Sequence, residues 1–311
     1  MKTALIFGAS GFVGAYLARE LHANGYSVAG TDRTESCAVE EVDEYRSADI
    51  TDAESVKQLV ADIRPDAIIN LAAISSVGQS WTIPQQTVNV NVLGAINVFE
   101  AVKAADYPAK ILLIGSGEEY APSEEPLTEE SPVSALSPYG ISKVMQGQFS
   151  DLYASKFGLD IVRTRSFNHT GVGQTDTFVL PSFCKQAAQI AATGKPGTIE
   201  VGNLEVVRDF SDVRDIARAY RLLLEGDYSG QVFNVGSGVG HSLRQLLDTI
   251  ISFADVDIEV IVAPERLRPS DNPVSVCDYT KLAVATKWRP EYTVNDVLQN
   301  MFEHYRAESG K

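Results

Sequence analysis

Cysteine is scarce in this chain: Cys37, Cys184 and Cys277 are all that 311 residues hold. Three thiols this far apart form neither a disulfide framework nor a zinc site, so no metal is expected. Positive charge is also short. Twenty-six Lys and Arg against 41 Asp and Glu leave a formal charge of −15, which argues against nucleic acid and anionic membranes as partners. No apolar run is long enough for a membrane helix, no repeat or low-complexity tract is present, and the residues after Met1 lead into an apolar strand rather than a leader. The expectation is a cytoplasmic globular chain. Its 44% hydrophobic content can bury a core in one large or two modest domains.

The apolar run Thr3 to Phe7 reads as a buried parallel strand and leads directly into Gly8-Ala-Ser-Gly11-Phe-Val-Gly14. Val13, Leu17 and Leu21 then recur at helical spacing up to Asn24-Gly25. Strand, glycine turn and helix are in the order a dinucleotide site requires: glycines allow a tight turn and close approach, and helix N-terminal amides meet the pyrophosphate. The spacing is one residue longer than Gly-x-Gly-x-x-Gly, and a structural turn without ligand would look similar. A second strand, Ser27 to Gly30, ends at Asp32, placed to accept from an adenosine ribose and to repel a 2′-phosphate. NAD(H) is therefore favoured. Arg33 keeps NADP(H) open, since its guanidinium could pair with that phosphate.

Tyr139 and Lys143 stand four residues apart behind Ser137 and Pro138, which read as the N-cap and first residue of a helix. That spacing puts phenol and ammonium on one face. A nearby cation favours phenolate, and a phenol brought toward neutrality could exchange a proton with a substrate oxygen. A surface helix carrying the same two residues is the commoner meaning of the pattern taken alone.

Strands at Ala67 to Leu71, Lys110 to Gly115 and Asp160 to Arg165 alternate with helical stretches, including one from Pro84 to Ala104, which implies a parallel sheet covered on both faces. The acidic, proline-rich segment Pro122 to Pro132 is expected to be an exposed loop. Beyond about residue 168 the repeat loosens. Helices are expected near Phe178 to Thr193, Val213 to Leu224, Ser242 to Ala254, Tyr279 to Thr286 and Val294 to Tyr305, with strands at Ile199 to Val201 and Val232 to Val235.

These segments together resemble the extended short-chain dehydrogenase/reductases that act on sugar nucleotides. The likeness is carried by the glycine turn, Asp49-Ile50, Asn70-Leu-Ala-Ala73, Asn91, Gly115-Ser-Gly-Glu-Glu-Tyr120, Tyr139-x-x-x-Lys143, Arg165-Ser-Phe-Asn168 and Arg208-Asp-Phe-Ser-Asp-Val213. Within that family Ser166 to Gln174 and Val201 to Phe210 look most like the reductases of GDP-4-dehydro-6-deoxy-D-mannose, with the GDP-mannose 4,6-dehydratases close by. The resemblance implies an α/β fold: a Rossmann-type doubly wound parallel sheet (residues 1–167, with 210–240 returning to it) and a smaller C-terminal α/β substrate lobe (168–311). It implies a homodimer through the helices at 84–104 and 139–157.

It also implies roles. Gly8, Ser10, Gly11, Phe12, Val13, Gly14, Asp32, Arg33, Asp49, Ile50, Leu71, Ala72, Ala73, Asn91 and Phe167 would surround the cofactor, with Tyr139 and Lys143. Ser116, Tyr139, Lys143 and Glu118 would be catalytic. Glu118, Asn168, Val179, Arg208, Arg268 and Asp271 would meet the substrate, the two arginines on its diphosphate, and His169 would either touch substrate or cap a loop. Dehydratases of this type carry Thr, then Asp or Ser, then Glu at the strand end. Here Ser116-Gly117-Glu118 keeps the glutamate and loses the middle polar group. Two further departures are Val172, where the family usually has proline, and Asn70, where some members have histidine. The resemblance favours reduction of a C4 ketone on a GDP-linked 4-dehydro-6-deoxyhexose over 4,6-dehydration or C4 epimerisation. A non-enzymatic NAD(P) sensor would be expected to lose Ser116, Tyr139 or Lys143.

Overall fold

The computed structural model describes residues 1–105, 107–263 and 272–309. Six strands form the spine in chain order: β1 (Lys2–Phe7), β2 (Tyr26–Asp32), β3 (Glu44–Ser47), β4 (Ala67–Asn70), β5 (Lys110–Ser116) and β6 (Asp160–Ser166). Beyond β7 (Asn168–Thr170), β8 (Gly197–Val201) and β9 (Val207–Asp212), the chain returns as β10 (Val232–Val235), which pairs with β6 and completes a seven-stranded sheet. Its order is β10-β6-β5-β4-β1-β2-β3 with every pair parallel. The order reverses between β1 and β4, so the carboxyl ends of those strands flank a crevice that no connection fills.

Helices cover both faces, as the apolar runs of the central strands require. On one side α1 (Phe12–Ala23) buries Leu17, Ala18 and Leu21 beside Ile216, Tyr220 and Leu223 of the later helix at Val213–Glu225. On the other side, α2 (Ala53–Ile63) packs Val56, Leu59 and Val60 against the long helical stretch that precedes β5. That stretch is not one regular helix. It runs as α3 (Val77–Thr82), α4 (Pro84–Val88), a π-helical turn at Asn89–Leu93 and α5 (Gly94–Ala104). The next helix, α6 (Pro138–Phe157), is capped by Ser137, whose Oγ accepts from Gly140 N at 3.0 Å, and ends on Gly158 at φ 69°. α7 (Val179–Thr193) follows it, and the helix at Val213–Glu225 is α8.

The C-terminal lobe has its own core. Leu180, Phe183 and Ala187 of α7 pack with Leu246 and Leu247 of α9 (Leu243–Ser252) and with Leu298 and Phe302 near the C-terminus. Beside them a small sheet gathers β7, β9, β11 (Gly240–Ser242) and β13 (Val274–Ser275), while β8 pairs with β12 (Ile258–Val262). Helices α10 (Thr280–Thr286) and α11 (Val294–Ser309) complete the described chain.

One loop departs from expectation. The acidic segment after β5 is not wholly a solvated face: Leu127 is buried and bridges Cys277, and Glu129 Oε1 accepts from Asn234 N at 2.7 Å. The apolar leucine between the acids anchors the loop to the lobe, and Glu129 gains a backbone donor that water would otherwise supply.

Candidate active site

The carboxyl ends of β1, β2, β4, β5 and β6 open on one cleft of about 620 Å³, the size of a small-molecule site. At its floor the glycines are sterically required. Gly8 has φ +85°, and a β-carbon there would stand 3.1 Å from Ala72 N; one on Gly14 would stand 2.3 Å from Gly8 O. The turn thus brings the N-terminus of α1 to the cleft, and Gly11, its N-cap, offers no side chain to its amides. Those orphan donors line the cleft at Phe12, Val13 and Gly14. Asp32 and Arg33 lie at the end of β2, and Asp49, Ile50, Leu71, Ala72 and Ala73 close the same end. A dinucleotide fits this donor set: uncapped amides for a pyrophosphate and a carboxylate for a ribose.

Two residues expected to meet the cofactor do not line the cleft. Asn91 is 1% exposed and its amide is spent within the protein: Oδ1 accepts from Ile74 N at 2.8 Å, and Nδ2 donates to Ile74 O at 3.1 Å and to Ser142 Oγ at 2.9 Å. It shapes the loop after β4 and ties that loop to α6. Ser10 turns to Thr34, Oγ to Oγ1 at 3.2 Å.

The chemical end is built where β5 meets α6. Ser116, Gly117, Glu118, Tyr139 and Lys143 line the cleft together with Phe167, Asn168, His169 and Val179. The Ser116 backbone N–H donates to Glu119 Oε1 at 2.9 Å, and Glu119 Oε2 holds Arg165 Nε at 2.9 Å. Arg165 in turn donates to the Tyr120 hydroxyl at 3.0 Å, and that hydroxyl donates to Asn234 Oδ1 at 2.6 Å. This buried chain fixes the end of β5 against β6 and β10. The sequence offered no sign of it, because the partners lie 46 and 114 residues apart.

The sequence suggested that Lys143 would favour the phenolate of Tyr139. In the structure Lys143 Nζ donates to Ile114 O at 2.9 Å and sits 5.8 Å from the Tyr139 ring centroid. Burial dominates, and the Tyr139 phenol is held well above its ordinary pKa, with Ser116 pulling the other way and the Glu118 and Glu119 charges adding to the rise. Burial also pulls Lys143 down to about 8 and raises Glu118, the latter eased by the Arg208 charge.

Arg208 does not line the cleft. Its half-buried guanidinium donates from Nη1 to Val207 O at 2.8 Å and from Nη2 to Asn272 O at 2.9 Å, each bond taking one N–H of a five-donor fork. Arg268 and Asp271 lie outside the described residues. Asn70 is buried, with Oδ1 accepting from Ala72 N at 3.1 Å, and Val172 O accepts from the Tyr16 hydroxyl at 2.9 Å. Among cleft residues to which the sequence reading gave no role are Ser75, Gln86 and Thr175, which lie outside every motif, and Gln174, the last residue of the segment Ser166 to Gln174.

Residues 5–301 match the family model described as GDP-mannose 4,6 dehydratase. The chain belongs to that family. It sits in the sugar-nucleotide branch of the extended short-chain dehydrogenase/reductases, which are NAD(P)-dependent enzymes. Among curated relatives, GDP-6-deoxy-D-mannose reductase of Pseudomonas aeruginosa is 31% identical over 262 residues, covering 83% of this chain and 86% of the relative. GDP-mannose 4,6-dehydratase of Vibrio cholerae is 26% identical over 346 residues, covering 96% and 92%. Among solved structures, RMD from P. aeruginosa complexed with NADPH superposes with a TM-score of 0.88 at 29% identity, covering 99% of this chain and 100% of that one. UDP-glucose 4-epimerase from Thermotoga maritima, solved with UDP-glucose, gives 0.87 at 27% identity, covering 98% and 99%.

Proposed function

We propose that the protein reduces the C4 ketone of a nucleotide-linked 4-dehydro-6-deoxyhexose, with GDP-4-dehydro-6-deoxy-D-mannose as substrate and GDP-D-rhamnose as product. The observation that carries this reading is Gly117. Elimination of water from C6 needs an acid beside the glutamate, and position 117 lacks the group; a β-carbon there would stand 3.2 Å from Cδ1 of Phe167, so a side chain at 117 needs that ring to give by a few tenths of an ångström. The retained Glu118 speaks for 4,6-dehydration as the second reading.

In the proposed reaction a reduced nicotinamide, when bound, supplies hydride to C4. The chain's own residues do the rest. Tyr139, a phenol and so protonated at neutral pH, is the acid that would protonate the C4 oxygen. Ser116 orients that oxygen beside it. Lys143 lies one helical turn on, where its ammonium can reach ribose hydroxyls and stabilise the phenolate left after transfer. The glycine turn and the α1 amides hold the pyrophosphate.

Residues 1–167 with about 210–240 are proposed to hold the cofactor and the remainder the substrate. Asp32 favours NADH; Arg33, exposed at the same rim, is compatible with NADPH. Three free cysteines fit a cytoplasmic setting. No described helix is long and apolar enough to cross a membrane.

The test is to mix purified protein with GDP-4-dehydro-6-deoxymannose and NADH or NADPH and follow absorbance. Consumption of reduced cofactor is expected, and Tyr139→Phe should lower kcat by roughly 10²–10⁴-fold. Dehydration of GDP-mannose without added cofactor, and no oxidation of NAD(P)H, would replace this reading with the dehydratase.

A further inference from the structure

β4 pairs with β5 only as far as Asn70 with Leu113, so the last residues of β5, Ile114 to Ser116, run on past the end of β4 into the cleft. Backbone groups that outrun a neighbouring strand need other partners, and here side chains supply them. Ile114 O accepts from Lys143 Nζ at 2.9 Å and from Gln146 Nε2 at 2.8 Å, and Ser116 N donates to Glu119 Oε1 at 2.9 Å.

A charged group is a costly partner for one amide. Glu119 is 3% exposed, where a carboxylate must be paired, and Arg165 Nε pairs it through Oε2 at 2.9 Å. The neighbours hold that geometry. Arg165 is in register with Gly115, and a β-carbon on Gly115 would overlap Glu119 Oε1 and Thr164 O, so glycine leaves the carboxylate its place. The guanidinium is held in turn by the Tyr120 hydroxyl at 3.0 Å and Glu129 O at 3.2 Å. What the carboxylate grips is the residue beside the acid: the Ser116 hydroxyl accepts from Glu118 N at 3.2 Å and is hydrogen-bonded to the Tyr139 phenol.

We propose that Glu119 is a positioning residue for proton transfer at C4: held by Arg165, its Oε1 fixes the Ser116 amide and with it the direction in which Ser116 Oγ meets Tyr139 and the substrate oxygen. The proposal rests on the roles of Ser116 and Tyr139 given above. A 4,6-dehydration that passes through oxidation at C4 would use the same two residues, so the wild type is assayed for both reactions and the variants are compared in the one it performs.

Three variants separate the acceptor from the charge. Glu119→Asp keeps a charge facing Arg165 but falls one methylene short of Ser116 N. Glu119→Gln with Arg165→Met removes both charges and keeps an oxygen for that amide, and Glu119→Met with Arg165→Met removes the oxygen as well. The aspartate and methionine variants should lose roughly 10–10²-fold in kcat with KM for the nucleotide sugar nearly unchanged, while the glutamine variant should keep most of the wild-type kcat. Circular dichroism and thermal midpoints on each show that the proteins assayed are folded. A glutamine variant that falls as far as the methionine one, an aspartate variant with wild-type kcat, or a loss carried by KM overturns the assignment. A wild type that dehydrates GDP-mannose and reduces no ketone overturns the function proposed above, and the same comparison of variants then decides the role of Glu119 separately.

Discussion

Burying an ammonium costs free energy wherever it stays charged, and Lys143 is 4% exposed with its pKa pulled from 10.5 to about 8. Below pH 8 the amine is protonated in both folded and unfolded chains, so the penalty is fully present. Between pH 8 and 10.5 the folded amine is neutral while the unfolded one is still charged, so stability rises with pH until the penalty is gone. Lys143→Met should therefore stabilise the cofactor-free protein by about 1–3 kcal/mol at pH 7, and the gain should fade as pH passes from 8 to 10.5. Ile114 O is not orphaned by the change, because Gln146 Nε2 donates to it at 2.8 Å. Urea melts at pH 7 and 10 check this, with loss of turnover expected alongside; equal midpoints for the two proteins at pH 7 would refute it. At this scale the sequence was informative about identity and silent about environment. Tyr139 and Lys143 could be picked out by spacing and Ser116 by the family resemblance, while the direction of the Tyr139 shift could not, since it depends on how deeply β5 and α6 bury the phenol.

The helix that carries Tyr139 begins with two amides held by side chains. Ser137 Oγ takes Gly140 N at 3.0 Å, a cap that Ser-Pro ahead of the tyrosine already suggested. Tyr139 N donates to Ser80 Oγ at 3.1 Å, and Ser80 in turn donates to Val77 O at 2.7 Å. Ser80 lies 59 residues upstream on α3, beyond the reach of any local capping rule. Ser137→Ala and Ser80→Ala should each cost about 1 kcal/mol, seen as a lower denaturant midpoint at unchanged slope. A change below about 0.3 kcal/mol for Ser80→Ala would mean that the amide finds water instead. Other elements escaped the sequence for related reasons. β3 is a polar edge strand with no apolar run, and β7, β11 and β13 have three, three and two residues, too short for any alternation. The π-helical turn inside the expected helix arises where buried Asn91 reaches the loop after β4, a contact with no local signature.

At the scale of the molecule, α6 has apolar side chains on opposite sides. Its inner face places Gly140, Gly147 and Tyr153 against the sheet and α5, which accounts for one side of the helix. Outward it shows Ile141 at 49% and Leu152 at 46%, three helical turns apart, and Leu93 at 49% stands exposed on the π-helical turn that packs beside it. A charged or polar outer face would be expected of a helix that ends at water. A second copy related by a twofold axis would cover the stripe with the same stripe, and an isologous contact of about 800 Å² per partner suffices for a stable dimer. We therefore expect a homodimer through α5 and α6. Ile141→Glu with Leu152→Glu puts two charges into the stripe that the contact would bury, so the pair should yield monomers by sedimentation equilibrium. Because both side chains are exposed in the single chain, the circular dichroism of the variant should stay that of the wild type. A wild type that sediments as a monomer, or a double variant that remains dimeric, would assign this face another role.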